Sequence, residues 1–302
     1  MSKARILSMI LFCLGLRAEA ALETRWWSLS TGAEATRHHD QDPVMFQDAT
    51  GRSGSVFASA GAGNRWMMMG GVTDLRLEQD WWDYRGITRM GVARVALTPA
   101  LGLEALGYSA TGFQDTRYGS SATLPDSILH AGSTAWGAGL GITWCPTPLD
   151  PLVESVHVNM LRVRSADNGA GRQGLWSGEC QLSRTEQWGE WGTREQVGLL
   201  GNRQGSESKV AGTFRLEAWR GRLGLHARAM AGRVDSWYEA ERLVVHDGGA
   251  ELRGSFAAGA SWQAWRGLSV EGSAGQDQNA ASRSRWAFVA LRWTHQIWTP
   301  LD

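Results

Sequence analysis

Between Gly249 and Ala264 the chain reads GAELRGSFAAGASWQA, with Gly or an apolar residue at every even position from Ala250 and with Glu251, Arg253, Ser255, Ser261 and Gln263 on odd ones. Side chains of a strand alternate with period two, so this run has one continuously apolar face and one polar face. It is well over the roughly 5–6 residues of an ordinary strand. Such a run suits a strand that crosses a bilayer at a tilt, with lipid on one side and a polar lumen on the other.

The start of the chain agrees. Lys3 and Arg5 precede the apolar run from Ile6 to Leu16, and Ala18-Glu19-Ala20 follows it, which is the pattern of a cleaved secretory signal peptide over residues 1–20. The run is too short for a membrane helix, and Cys13 is expected to leave with it. The mature chain, residues 21–302, reads as one β domain, in which residues 21–62 form either a first hairpin with a long loop or an N-terminal extension. Removing Lys3, Arg5, Arg17 and Glu19 turns 30 basic and 30 acidic residues into 27 and 29. Near-neutrality argues against a nucleic-acid partner. Cys145 and Cys180 remain; they either pair in an oxidising compartment or stay as thiols on apolar faces.

No later segment is apolar for the ~18 residues of a helical span, so a membrane role requires a closed barrel. Alternation predicts strands over 24–32, 54–61, 65–78, 87–97, 101–111, 129–144, 152–164, 175–186, 193–201, 209–219, 223–234, 250–264, 268–276 and 285–297, fourteen in all, or twelve if the first two belong to an extension. Short links at 98–100, 146–151, 189–192, 220–222 and 266–267 alternate with longer polar ones at 33–53, 79–86, 114–127, 165–173, 202–208, 235–248 and 277–284. Tryptophan favours the boundary of a membrane, where its ring and its N–H are both accommodated. Trp26, Trp27, Trp66, Trp144, Trp188, Trp191, Trp219, Trp265 and Trp298 fall near the short turns, and Trp81, Trp82, Trp237 and Trp286 near the long loops, whereas Trp136, Trp176, Trp262 and Trp293 sit mid-strand.

Taken together, the signal peptide, the alternating strands, the sorted links and the two aromatic girdles resemble a bacterial outer-membrane β-barrel of monomeric porin-like size. The resemblance is to an architecture rather than to one family. It implies an all-β fold, a transmembrane antiparallel up-and-down β-barrel of about 12–14 strands, embedded in the lipid bilayer of the outer membrane after export and delivered by the barrel-assembly machinery.

With apolar residues taken as lipid-facing, Met67, Met69, Leu75 and Leu77 point outward and Asp74, Arg76 and Glu78 line the lumen. The same rule places Arg215, Glu217, His226, Arg228, Glu251, Arg253, Glu271 and Arg292 inside, with Arg94, Glu104 and Glu179. A lumen of interspersed Arg and Glu hydrates and selects solutes by charge, which suits passive diffusion of small hydrophilic solutes. The alternatives are a charge network that fills a non-conducting structural barrel, and an outer-membrane lipid hydrolase built on a pair such as Ser155 and His157. There is no Gly-x-Ser-x-Gly or His-Glu-x-x-His motif, so no catalytic residue and no cofactor is expected. His38-His39-Asp40 is the one dense ligand-like cluster, but neighbouring strand residues point opposite ways, and a solvated loop is the expected reading without a bound metal. The same alternation predicts that Arg at Ala258 meets lipid and impairs insertion, while Arg at Ala257 faces the lumen and is tolerated.

Overall fold

The computed structural model describes residues 25–40, 49–63, 65–78, 82–118, 127–145, 154–167, 170–235, 237–239, 244–246, 251–280 and 282–297. The expected signal peptide, Trp81 and Trp298 lie outside these residues. Fourteen strands close into one antiparallel barrel: β1 (Arg25–Asp40), β2 (Ala49–Ala62), β3 (Trp66–Glu78), β4 (Trp82–Thr98), β5 (Leu101–Tyr118), β6 (Ser127–Trp144), β7 (Ser155–Asp167), β8 (Ala170–Trp188), β9 (Trp191–Gln204), β10 (Glu207–Arg220), β11 (Leu223–Val234), β14 (Leu252–Trp265), β15 (Leu268–Asn279) and β16 (Ser282–Ile297). The long connection between β11 and β14 carries a separate two-stranded hairpin, β12 (Trp237–Glu239) and β13 (Val244–His246).

Closure comes from β1 against β16, paired from Arg25 with Ile297 to Asp40 with Ser282. With that ladder made, the barrel has no open edge, as a chain in lipid requires, because no water is there to satisfy backbone N–H and C=O groups. β1 and β2 are thus the first hairpin of the wall and not an extension. Every barrel strand is 12 to 19 residues long, and most run several residues beyond the sequence expectation on the loop side. Only 41–48 separates β1 from β2, where the alternation suggested a loop over 33–53. His38-His39-Asp40 therefore forms the last residues of β1.

On the opposite side the turns are tight. Two residues, Gly221 and Arg222, join β10 to β11, and two, Gly189 and Glu190, join β8 to β9. Gly221 (φ 56°) and Gly189 (φ 62°) occupy the left-handed region that such hairpin turns need and that side chains disfavour.

The outer face is apolar around the barrel, with Leu29, Val56, Leu103, Leu140, Val197, Phe256 and Val289 among its exposed residues. Burying this belt in hydrocarbon is the driving force for insertion. Trp144, Trp188 and Trp265 stand exposed at the turn-side end of that belt, and Trp66 is on the same edge. Three residues assigned to the girdles, Trp26, Trp219 and Trp286, face inward instead. Trp219 lies over Gly192 and Trp286 over Gly275, since each glycine leaves room for an indole on the inner wall. Trp82 opens β4, and Trp237 belongs to the β12–β13 hairpin, off the barrel. The loop-side girdle on β6 and β8 is formed by Trp136 and Trp176, exposed on the outer face, with the guanidiniums of Arg164 and Arg162 over their rings at 5.4 and 5.1 Å. Both indoles are interior to their strands, since β6 starts at Ser127 and β8 at Ala170, so the loop-side ends of these strands run on past them.

Candidate functional site

The lumen is built by one parity on each strand, and the register fixes which. On β10 and β11, Arg215 pairs with Arg228 and Glu217 with His226, all on the inner face. On β15 and β16 the inner set includes Glu271 and Arg292, whose Oε2 and Nη2 are 3.8 Å apart. Arg94 on β4 and Glu104 on β5 are direct cross-strand partners on the same inner face, and the Arg94 Nε donates to Glu104 Oε2.

Three expected lining residues are placed elsewhere. In β3 the inward set is Met67, Met69, Gly71, Thr73, Leu75 and Leu77, because Met67 shares its register with Arg94, and Gly71 accommodates the Phe57 ring. Asp74, Arg76 and Glu78 point outward. They lie at the loop-side end of the strand, where Arg85 meets Asp74 at 3.3 Å and Arg52 meets Glu78 at 3.1 Å. Here the wall projects past the hydrocarbon, and apolar residues no longer need to face out, so taking Leu75 and Leu77 as lipid-facing inverted the parity.

A second correction falls on Glu251 and Arg253. Register shifts between Ala231 and Val234 and between Leu252 and Gly254 put extra residues into β11 and β14. Such bulges reset the alternation. Leu252 takes the buried inner position, and Glu251 sits at the loop-side rim, where it accepts hydrogen bonds from Arg233 at 2.6 and 2.9 Å and from Arg253 at 3.1 Å, with Lys209 Nζ at 3.4 Å.

Two cavities open from the charged inner wall towards the turn side. One, about 120 Å³, is lined by Arg94, His157, Glu179, Arg194, Arg215 and Arg228 with Thr143, Ser155, Asn159, Gln181, Ser183, Gln196 and Thr213. The other, about 320 Å³, is lined by Ser28, Ser30, Ser59, Glu271, Arg292 and Thr294 together with Trp26, Phe57, Met67, Met69 and Phe288. Arg94 borders both. Further towards the loops the inner wall becomes apolar: Met90, Val92, Leu106, Tyr108, Leu161 and Val163 pack together on β4, β5 and β7, with Phe57, Met69, Ala135 and Leu175 against them. A second apolar cluster joins Leu200, Ala211, Met230, Val234 and Leu252.

Of the residues expected inside, Arg215, Glu217, His226, Arg228, Glu271 and Arg292 lie on the inner face, and Arg194 and the apolar inner clusters, which alternation did not name, lie there too. Arg194 was legible, since Val197 and Leu199 mark the outer parity of β9. The clusters were not, because strands such as β7 carry apolar residues on both parities, Val158 and Met160 outside and Leu161 and Val163 inside. Ser155 and His157 both face the lumen. Ser155 Oγ is 2.6 Å from Ser183 Oγ, while His157 Nδ1 is 2.9 Å from Thr143 Oγ1 and its Nε2 3.7 Å from Glu104. Cys145 and Cys180 are free thiols, and Cys180 is exposed on the outer face of β8. Among the described residues no group of three or more His, Cys, Asp and Glu is arranged to hold a metal ion.

No protein-family model matches the sequence, and no curated protein matches it. Solved structures do match in shape. A TodX variant lacking S2 and S3, described as a monoaromatic hydrocarbon channel, superposes with a TM-score of 0.53 at 8% identity over 92% of this chain and 91% of its own. CymD, also described as a monoaromatic hydrocarbon channel, gives 0.51 at 9% identity over 92% and 90%. The chain has the fold of the bacterial outer-membrane β-barrels. Its closed ladder and lipid-facing belt place it in the outer membrane, with the lipid bilayer as its surroundings.

Proposed function

We propose that this barrel is a channel through which small polar solutes diffuse passively, guided by the charged inner wall on the turn side. The observation that carries the reading is the pair of luminal cavities that meet at Arg94 and are lined by Arg, Glu, Ser and Gln. Eight-stranded barrels are just filled by their own side chains, and barrels of 16–18 strands leave aqueous channels; fourteen strands lie near the upper figure. A lining of mixed charge hydrates readily and discriminates solutes by sign.

A second reading is favoured by the inner clusters around Leu106 and Leu161, which give an apolar solute a wall to follow. The TodX and CymD channels share the fold at below 10% identity and, by description, pass monoaromatic hydrocarbons.

The experiment is swelling of liposomes that contain the refolded mature chain, alongside single-channel recording in planar bilayers. Swelling in small sugars and amino acids with stable conductance steps is the expected result. Toluene entry into the liposomes without swelling or conductance would favour the apolar route, and a folded barrel that passes neither class would return the protein to a structural role in the envelope.

A further inference from the structure

We infer that the smaller cavity is a binding site for an oxyanion, a carboxylate or phosphate group, held by Arg194, Arg215 and Arg228. The starting observation is an unfavourable one. Arg215 and Arg228 are direct cross-strand partners on β10 and β11, both on the inner face, and Arg228 is only 7% exposed. Like charges placed directly opposite one another destabilise a sheet, and guanidiniums cannot relieve the repulsion by losing a proton. A solute oxyanion between the two converts that repulsion into two charge-assisted forks.

The surroundings have the same sign. Four guanidiniums, those of Arg94, Arg194, Arg215 and Arg228, line the cavity, against Glu179 as its lining carboxylate among the described residues. Two further carboxylates stand on the same inner face and are already engaged: Glu104 accepts from Arg94, and Glu217 accepts from Arg215 at 2.6 Å. Arg194 is the register partner of Glu217 and brings a third fork to the patch from β9. Gln196, Thr213 and Ser183 add hydrogen-bonding groups, and the cavity of about 120 Å³ holds an oxyanion with several waters. Trp286 backs the site, 5.5 Å from the Arg228 guanidinium, and keeps that side chain aligned.

Conduction and binding are tested separately, so that failure here is distinct from failure of the channel reading. Inorganic phosphate and benzoate are titrated calorimetrically into the detergent-folded mature chain, with tetraethylammonium as the cationic control. The expected result is binding of at least one oxyanion and not of tetraethylammonium, weakened about tenfold or more in Arg215→Gln and Arg228→Gln, with partial retention in Arg228→Lys. Binding of benzoate alone assigns an organic carboxylate, and binding of both probes assigns the oxyanion itself. Heat-modifiable migration on gels reports folding of each variant, and Arg194→Gln supplies a second test should Arg228→Gln not fold. Reversal potentials across a KCl gradient then ask whether current is anion-selective in the wild type and less so in Arg215→Gln. Oxyanion binding without conductance keeps the site and removes the channel. Conductance with no oxyanion binding, or binding indifferent to all three arginines, overturns the inference.

Discussion

Arg94 and Glu104 face each other in direct register on β4 and β5, yet the arginine side chain is 36% exposed to the lumen and the glutamate 1%. The pair is therefore asymmetric. Removing the arginine strands a buried carboxylate, whereas removing the carboxylate leaves a guanidinium that luminal water can solvate. Arg94→Gln is expected to cost about 3–5 kcal/mol, in the range for breaking a buried pair, and Glu104→Gln about 1 kcal/mol. Urea unfolding of the refolded barrels measures both, and equal costs would show that the two side chains share one environment. Because Arg94 also borders both cavities, Arg94→Ala joins them, and in a conducting barrel its unitary conductance should exceed that of the wild type.

Tyr108 on β5 lies against Gly137 on β6, and a Cβ built on that glycine would stand 2.4 Å from the ring. Gly137→Ala therefore has to move the ring out of the apolar cluster it shares with Met90 and Val163, at about 1–3 kcal/mol. Gly107, next to Tyr108 in sequence but on the outer parity, meets nothing closer than 3.5 Å. Alanine there should be neutral or should stabilise by about 0.5–1 kcal/mol through the unfolded chain. Thermal or urea midpoints that shift alike in the two variants would remove the role given to the Tyr108 ring.

The rim cluster carries a pH signature. Arg233, with Arg253 and Lys209, holds the Glu251 carboxyl down to about 2, well below the usual carboxylate range. A group whose pKa is lower in the folded than in the unfolded chain stabilises the fold above its unfolded value, roughly 4.3, and loses that contribution as pH falls towards the folded one. The unfolding midpoint of the wild type is expected to drop between about pH 5 and pH 2, and Glu251→Gln should start lower at neutral pH and drop less across that window. Parallel acid profiles in the two proteins would mean that this ion cluster is not coupled to folding.

How far alternation could be read depended on where along a strand it was applied. Inside the hydrocarbon, lipid enforces one apolar face, and the parities of Arg215, Arg228, Glu271 and Arg292 followed directly from outward neighbours such as Phe214, Ala229, Val270 and Leu291. Past the headgroups that constraint ends, which is why Asp74, Arg76 and Glu78 were misplaced and why 33–40 read as loop although it is strand. A bulge is invisible to a period-two pattern, so nothing in the residues around Leu252 announced the break that moved Glu251 and Arg253 to the rim. The apolar inner clusters escaped for the converse reason. The lumen is apolar where these clusters line it, and Leu106 or Val163 can be assigned inward only when cross-strand partners are known.

One expectation about the wall is reversed by its packing. Ala258 is exposed on the outer face of β14, in register with Ala227 and Ala274, so Arg at 258 or at 274 meets lipid and should cost about 2–4 kcal/mol if both lie near the midplane. Ala257 does face the lumen, but it is 1% exposed and directly opposite Arg228. Arg at 257 would overfill a packed position and set a second guanidinium against the first, so it is expected to impair folding as well. The faces are separated instead by Leu. Ala258→Leu extends the lipid-facing belt and should fold like the wild type, while Ala257→Leu should be destabilised by about 1–3 kcal/mol through overpacking. The fraction of heat-modifiable barrel formed in vesicles reads all four variants at these two alanines, and tolerance of Leu at 257 would place that side chain in open lumen.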